Sequence, residues 1–294
     1  MKSISRRLLL KGGAISAVGL PLIKGSFAAE NNLFDNEKRS LLDDFRVGVA
    51  SYTFRKFSLE ETIKALQRLN LKYISVKDFH IPLNSTSEER KLAVQKLKAA
   101  GITPLSCGNI TMENDEQNIR RAFEYARDCG IPTIVCSPHP ASMAILDRMV
   151  KTYNIKLAIH NHGPEDKRFP SPYDVWKAVK DFDARIGLCI DVGHTARAKV
   201  DPAEAIINCK ERLYDLHFKD INTTEPKGDT IEAGRGVLDL PSIIYALEKI
   251  KFRYLVGIEY EGAESDPLPA VAETVGYAKG LYAGKTSMMR KDKR

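Results

Sequence analysis

KLAIHNH, residues 156–162, is an apolar, β-rich run that ends in two imidazoles. Three later runs follow the same pattern and end in a carboxylate or an imidazole: IGLCID (186–191), LYDLHFKD (213–220) and LVGIEYE (255–261). The polar residues at these strand ends are His160, Asp191, His217 and Glu259. In a parallel barrel the C-terminal ends of the strands converge on one mouth. Two imidazoles and two carboxylates at that mouth suit a divalent metal ion, which predicts an enzyme.

Short β-rich runs alternate with longer amphipathic runs along the chain. The predicted strands are 46–51, 72–77, 102–107, 132–136, 155–160, 185–191, 213–218 and 254–260. The predicted helices lie near 58–70, 86–100, 115–129, 142–153, 172–182, 201–210, 239–250 and 268–282. Eight strand–helix pairs in about 250 residues predict an α/β fold, a single (β/α)8 TIM barrel. The main alternative, a doubly wound open sheet, usually has an early glycine-rich turn, whereas the first strand here runs into SYTFR (51–55).

The N-terminus has the composition of an export signal. SRRLLLK (5–11) resembles a twin-arginine motif, a modestly apolar stretch follows, and SFAA (26–29) suits signal-peptidase cleavage. The predicted organisation is a twin-arginine-type signal peptide (1–29), a lead-in segment (30–45), a catalytic barrel (46–284) and a basic tail (285–294). Export predicts a periplasmic location, with no stable membrane insertion once the signal is cleaved.

Charge gives little reason to expect a nucleic-acid partner. The 294-residue chain has 45 basic and 38 acidic residues, a net charge of +7. The segment 1–29 holds five basic residues and no acid, which leaves 40 basic and 38 acidic residues, or +2, in the remainder. We therefore expect no nucleic-acid partner, and the sequence leaves open whether the protein forms a homo-oligomer.

Five cysteines stand in the chain after the predicted signal: Cys107, Cys129, Cys136, Cys189 and Cys209. An odd number argues against a full disulfide framework, and no pair has the spacing of a zinc site. Three of them lie in predicted strands, where a free cysteine behaves as a small apolar residue. One disulfide remains an open alternative.

Further polar residues flank the four strand ends. Side chains alternate along a strand, so His162 shares a face with His160, and Lys219 shares one with His217. His194 follows Asp191 by three residues and is expected to reach over the mouth from a loop. Residues near the ends of the first two strands could line the substrate side or simply pack: Tyr52, Arg55, Lys77 and His80.

Two other features concern the loops. Asp183 and Asp220 look like solvated turn residues, and no role is predicted for either. The connection 219–238 is long, and long connections in compact domains are usually functional. It is therefore predicted to be a lid or a binding loop.

The motifs as a set resemble the xylose-isomerase-like TIM-barrel superfamily, which includes tagatose-type epimerases, inosose dehydratase and endonuclease IV. The matching motifs are LAIHNHG (157–163), DVGH (191–194), HFKD (217–220), GRGVLDL (234–240) and GIEY (257–260). The resemblance implies that Asp191, His217 and Glu259 are metal ligands and that His160 occupies the ligand position of the fifth strand. Many epimerases of the family have glutamate at that position, so this chain departs from their pattern.

The resemblance implies a sugar isomerase or epimerase that removes a proton next to a carbonyl and stabilises the enediolate with one divalent metal. Two nitrogen and two oxygen donors favour Mn²⁺ or Zn²⁺. Glu259 is the expected base, with His194 and Lys219 as catalytic and substrate-holding groups and His162 as a substrate contact. The alternative reaction is β-elimination by a periplasmic 3-keto-glycoside lyase. An endonuclease IV-like nuclease and a non-catalytic sugar-binding barrel are further alternatives.

Overall fold

The computed structural model describes residues 45–291, with side chains as far as residue 284. These residues form ten strands: β1 (Arg46–Ala50), β2 (Tyr73–Val76), β3 (Thr103–Met112), β4 (Thr133–Pro138), β5 (Lys156–His160), β6 (Ile186–Asp191), β7 (Leu213–Phe218), β8 (Asp220–Ile221), β9 (Thr230–Ile231) and β10 (Leu255–Ile258). Eight of them close a barrel in the order β1-β10-β7-β6-β5-β4-β3-β2, and every pairing is parallel. The predicted (β/α)8 barrel is confirmed.

Nine α-helices occur in the same part of the chain: α1 (Leu59–Arg68), α2 (Ser87–Ala99), α3 (Glu116–Cys129), α4 (Met143–Tyr153), α5 (Pro172–Val179), α6 (Val192–Arg197), α7 (Pro202–Asn208), α8 (Leu240–Lys249) and α9 (Leu268–Lys291). Their N-terminal caps are local in the sequence. Ser58 and Thr86 each form a reciprocal capping box with the glutamate three residues later. Asp201 and Asp239 cap α7 and α8 just before a proline.

The structure differs from the predicted elements in three places. β3 continues to Met112 because, after a register shift between Cys107 and Ile110, it resumes pairing with β4. Residues 192–197 form the short helix α6 rather than a loop, since the carboxylate of Asp191 caps its first turn. The last helix runs on to Lys291, into the segment predicted as a basic tail.

The described residues begin at residue 45, so the predicted signal peptide and all but the last residue of the predicted lead-in segment lie outside them. All five cysteines are free and buried in the structure. No helix in the described part of the chain combines the length and apolarity needed to cross a bilayer.

Barrel register brings the polar strand ends to one rim. Asp191 at the end of β6 is the direct neighbour of His217 in β7, and His160 at the end of β5 is the neighbour of Cys189. The backbone N–H of Glu259 donates to the carbonyl of Phe218 at 3.0 Å, which holds the residue after β10 against β7. The strand pairing therefore positions all four candidate ligands before any side-chain contact is considered.

Asp220 is buried, so its prediction as a solvated turn residue is wrong. Its two carboxylate oxygens accept four backbone N–H groups at 2.9–3.1 Å, from Ile221, Gly234, Gly236 and Leu238. These donors replace water around a buried charge that would otherwise be costly. A Cβ on Gly236 would lie 2.2 Å from Asp220 Oδ1, so the loop approaches the carboxylate closely only because it has glycine there.

Asp220 thereby folds the connection 219–238 back on itself, with β8 and β9 as an antiparallel pair inside it. We expect Asp220→Ala to lower the free energy of unfolding by about 3 kcal/mol, because it leaves buried N–H donors without an acceptor. Urea denaturation and limited proteolysis between β8 and β9 measure the effect. Asp181→Ala, at an exposed carboxylate, is the matched control. Equal stability and equal cleavage in both variants would contradict this role of Asp220.

Candidate metal centre

Four side chains of the barrel mouth converge on one point. His160, Asp191, His217 and Glu259 each offer one ligand atom, and these four atoms lie within 4.8 Å of one another. His217 Nδ1 is 3.1 Å from His160 Nε2 and 3.0 Å from Glu259 Oε2. Asp191 Oδ2 is 3.6 Å from His160 Nε2 and 3.7 Å from His217 Nδ1. All four residues are buried.

These separations fit a small divalent ion. Nitrogen and oxygen ligands bind zinc at about 2.0–2.1 Å, so tetrahedral ligand atoms stand roughly 3.3 Å apart. Asp191 Oδ2 accepts no hydrogen bond from the described residues, and the ammonium of Lys219, 2.9 Å away, is an ion-pair contact. A fully buried oxygen without a hydrogen-bond donor is costly unless a cation faces it. The donor set fits a metal ion, and in this structure the ammonium of Lys219 is the cation that faces this oxygen.

The contacts of Asp191 Oδ1 fix the orientation of the carboxylate, so that Oδ2 faces the cluster. Asp191 Oδ1 accepts from the backbone N–H of His194 at 2.8 Å, which caps helix α6. The backbone N–H of Asp191 donates to Asn161 Oδ1 at 3.0 Å, and Asn161 Nδ2 donates to Thr195 Oγ1 at 3.1 Å. The carboxylate is therefore held from two sides, and only Oδ2 is left for the cluster.

Lys219 supplies the positive charge of the site. Its ammonium lies 2.9 Å from Asp191 Oδ2 and 2.8 Å from Glu259 Oε2, and it also pairs with Glu261. Burial alone would raise the pKa of the Asp191 and Glu259 carboxyls, but neighbouring groups hold both pKa values well below their usual range: His194 and Lys219 beside Asp191, and His217 and Lys219 beside Glu259. Burial alone would lower the pKa of Lys219, and the three carboxylates raise it well above its usual range. Both carboxylates are thus ionised and Lys219 is charged.

The two ligand histidines differ in protonation. Burial lowers the pKa of His160 to about 4, so its imidazole is neutral, as a metal ligand must be. His160 Nδ1 has no hydrogen-bond partner among the described side chains and backbone. Burial also favours the neutral form of His217, but neighbouring Cys189 and Glu259 raise its pKa well above the usual value, so His217 is protonated without a metal and would release this proton on binding one.

His162 and His194 lie next to the cluster without belonging to it. Their rings are 4.9 Å apart, and the ring of His160 is 5.2 Å from His162 and 5.7 Å from His194. The side chain of His162 is 52% exposed, whereas His194 is largely buried, and this burial lowers its pKa to about 2. Both rings are therefore placed to meet a substrate that sits over the four ligands.

Two of the four predicted residues from the first strands lie near this side of the mouth. Arg55 donates to the carbonyl of Glu261 at 2.8 Å and pairs with Glu264 at 3.0 Å, so it is tied to the loop that follows β10. The ring of Tyr52 lies 4.8 Å from the Arg55 guanidinium and 6.0 Å from the exposed ring of Phe79.

The other two predicted residues are not brought to the cluster. The ring nitrogens of buried His80 contact Ser51 Oγ and Thr62 Oγ1, each at 3.0 Å, which makes His80 a structural cross-link. Lys77 donates to the carbonyl of Asn109 and lines a separate cavity between β2 and β3. Sequence position could not separate these cases, because Arg55, Lys77 and His80 all follow a barrel strand closely.

A cavity of about 350 Å³ lies between helix α6 and the β8–β9 hairpin. It is lined in part by Gly193, His194, Arg197, Lys219, Thr230 and Glu261. The predicted binding loop 219–238 thus contributes one wall of the cavity beside the ligands. Arg197 is not predicted by the strand-end pattern; its only sequence signal is its position three residues after His194 on a helix.

Comparison with known proteins identifies the family. The model of the xylose isomerase-like TIM barrel matches residues 43–281, and the chain belongs to that family. It is similar to the rhizopine catabolism protein MocC of Rhizobium meliloti, with 28% identity over 155 residues. That match covers 46% of this chain and 44% of MocC, so it spans less than half the length of the curated relative.

Solved structures share the fold. A D-tagatose 3-epimerase-like protein superposes with a TM-score of 0.65 at 16% identity, covering 82% of this chain and 99% of the other. An IOLI protein with a bound zinc atom superposes with a TM-score of 0.67 at 15% identity, covering 80% and 98%.

The cluster predicts which side chains hold a metal ion. We expect His217→Ala and Asp191→Ala each to weaken zinc binding by more than about 10-fold. Removing a residue that only hydrogen-bonds to a metal ligand already weakens metal binding by about 10-fold or more, and removing a ligand itself should weaken it at least as much. Equilibrium dialysis followed by elemental analysis measures it. His139→Ala is the control, because His139 only caps a short turn through its Nδ1 contact with Ala141. Unchanged zinc affinity in both ligand variants would exclude the centre.

Proposed function

We propose that the protein is a divalent-metal-dependent sugar isomerase or epimerase that removes a proton next to a carbonyl. One observation carries the proposal: an ionised, buried carboxylate, Glu259, belongs to a four-residue ligand cluster at the barrel mouth, and Lys219, which contacts this carboxylate, lines a cavity of about 350 Å³. Membership in the xylose isomerase-like family and the likeness to a tagatose 3-epimerase-like protein support this class of substrate. Mn²⁺ and Zn²⁺ suit the donors best. When bound, the ion would supply Lewis-acid polarisation of a substrate carbonyl.

Glu259 is the candidate base. It remains unprotonated because His217 and Lys219 stabilise its negative charge, and only an unprotonated carboxylate can take up a proton. Lys219 pairs with Glu259, Asp191 and Glu261, and these carboxylates balance its positive charge. Its ammonium can donate an N–H hydrogen bond to a substrate oxygen while that charge stays balanced. His162, which is half exposed at the mouth, and His194 are candidates to hold further hydroxyl groups.

A second candidate reaction, β-elimination from a 3-keto-glycoside, is favoured by His160. Epimerisation by two carboxylates needs a second acid–base group opposite Glu259, and this cluster has an imidazole at the fifth strand instead of a glutamate. Elimination needs one base for the α-proton and a proton donor for the leaving oxygen. In this reaction Glu259 would take the α-proton, and the ammonium of Lys219, which lines the cavity, would give a proton to the leaving oxygen.

The proposed location is the periplasm. The sequence 1–29, with its paired arginines and small-residue end, supports export, and export would bring the protein together with unphosphorylated sugars and glycosides. The cavity agrees with a neutral substrate, because both of its cationic side chains already pair with carboxylates: Arg197 with Glu165 and Lys219 with Glu261.

Deuterium exchange tests the proton abstraction. The metal-loaded protein is incubated in D2O with D-tagatose, D-fructose and a 3-keto-glucoside, and NMR follows deuterium entry, new epimers and aglycone release. We expect exchange next to the carbonyl of at least one substrate, and Glu259→Gln should slow it by about 10²–10⁴-fold.

The outcomes separate the reactions. A new sugar without aglycone release supports isomerisation or epimerisation, whereas aglycone release supports the lyase. Glu273→Gln, at an exposed glutamate that pairs with Arg235, is the control for the charge change. Exchange that is equally fast in Glu259→Gln and wild type would remove Glu259 as the base.

A further inference from the structure

Arg197 makes an unusual contact with a side chain of the site. Its Nη2 lies 2.7 Å from Nδ1 of His194, one turn earlier on α6. The Arg197 side chain is only 11% exposed, and both residues line the cavity beside the ligand cluster. A guanidinium and an imidazole cannot form a salt bridge, so the contact is a hydrogen bond.

The chemistry of the two groups fixes where the hydrogen atoms are. A guanidinium has N–H donors and no acceptor, so Nδ1 of His194 must be the acceptor and carries no hydrogen. A neutral imidazole has one protonated and one unprotonated nitrogen, and its tautomer follows from the hydrogen bond that one of them makes. His194 is therefore the Nε2–H tautomer, and Nε2 is the ring nitrogen left for a ligand in the cavity.

Arg197 is itself held rigidly by two loops. Its Nη1 donates to Glu165 at 3.0 Å and to the carbonyl of Pro226 in the β8–β9 connection. A Cβ on Gly163, which has a φ of +88°, would lie 2.8 Å from Nη2, so glycine leaves the room that the guanidinium needs. The guanidinium thus has a fixed position before any substrate binds.

We propose that Arg197 is a positioning residue that fixes His194 as a neutral Nε2–H donor to a substrate oxygen. The substrate part of this inference rests on the proposed sugar enzyme, whereas the tautomer does not. With Nδ1 engaged and Nε2 protonated, His194 holds a carbonyl or hydroxyl oxygen and does not serve as the base. Glu259 in the cluster is then the base that abstracts the proton, and Arg197 orients His194 towards the substrate oxygen.

The tautomer can be read directly by NMR. We expect long-range ¹H–¹⁵N spectra of the zinc-loaded full chain to show His194 with an unprotonated Nδ1 and a protonated Nε2. His194→Gln identifies its signals among the six histidines. Arg197→Met should shift the Nδ1 resonance towards that of a protonated nitrogen, because the second tautomer is no longer excluded.

Two controls separate this role from a purely structural one. Glu165→Gln removes the salt bridge that ties Arg197 to its loop but leaves the guanidinium, so the His194 signals should stay as in the wild type. Arg148→Met removes an exposed arginine that pairs with Glu116 and should change nothing at His194. A protonated Nδ1 in the wild type, or His194 signals in Arg197→Met identical to the wild type, would overturn the proposal. Neither result depends on which sugar the protein accepts.

Discussion

Two buried carboxylates that face the same point need a cation between them, and this requirement determines the arrangement of charged side chains at the barrel mouth. Asp191 is fully buried and Glu259 is 9% exposed. Leaving such charges uncompensated in a low-dielectric site is far more costly than any single contact in the fold. Lys219 meets both carboxylates, and the imidazole of His217 meets Glu259. A metal ion would enter a site whose charge balance already exists, so it would share the carboxylates with Lys219.

Much of the fold could be predicted from the sequence because its signals are local. Strand alternation, helix periodicity and caps such as Ser58 and Asp239 lie within a few residues of the elements they define. The ligand cluster could be predicted for a related reason: parallel strands in a closed barrel have all their C-terminal ends on one rim. The positions of His160, Asp191, His217 and Glu259 at strand ends were enough to predict that they converge, whereas their role as metal ligands stays a prediction.

The remaining residues could not be predicted, because their roles depend on partners distant in the chain. The buried carboxylate of Asp220 accepts hydrogen bonds from N–H groups up to 18 residues away in the chain. Nothing in the HFKD motif indicates these partners. His80 follows β2 as closely as a site residue would, yet it bonds to Ser51 and Thr62. Arg197 gains its role through a histidine on its own helix and loops on either side. In each case the neighbours in the folded structure, and not the residue type, determine whether a residue has a structural role or a role in the site.

Asp191 has a consequence for how freely the centre could be redesigned. One of its oxygens caps α6 and the other faces the ligand cluster, so a single carboxylate both sets the helix that carries His194 and Arg197 and completes the donor set. His160 caps no helix in the described structure and is not the proposed base, so a designer who wanted another metal preference could alter it alone. Exchanging Asp191 would also remove the N-cap of helix α6. Directed evolution of metal selectivity should therefore find accepted changes at His160 on β5 more often than at Asp191 on β6.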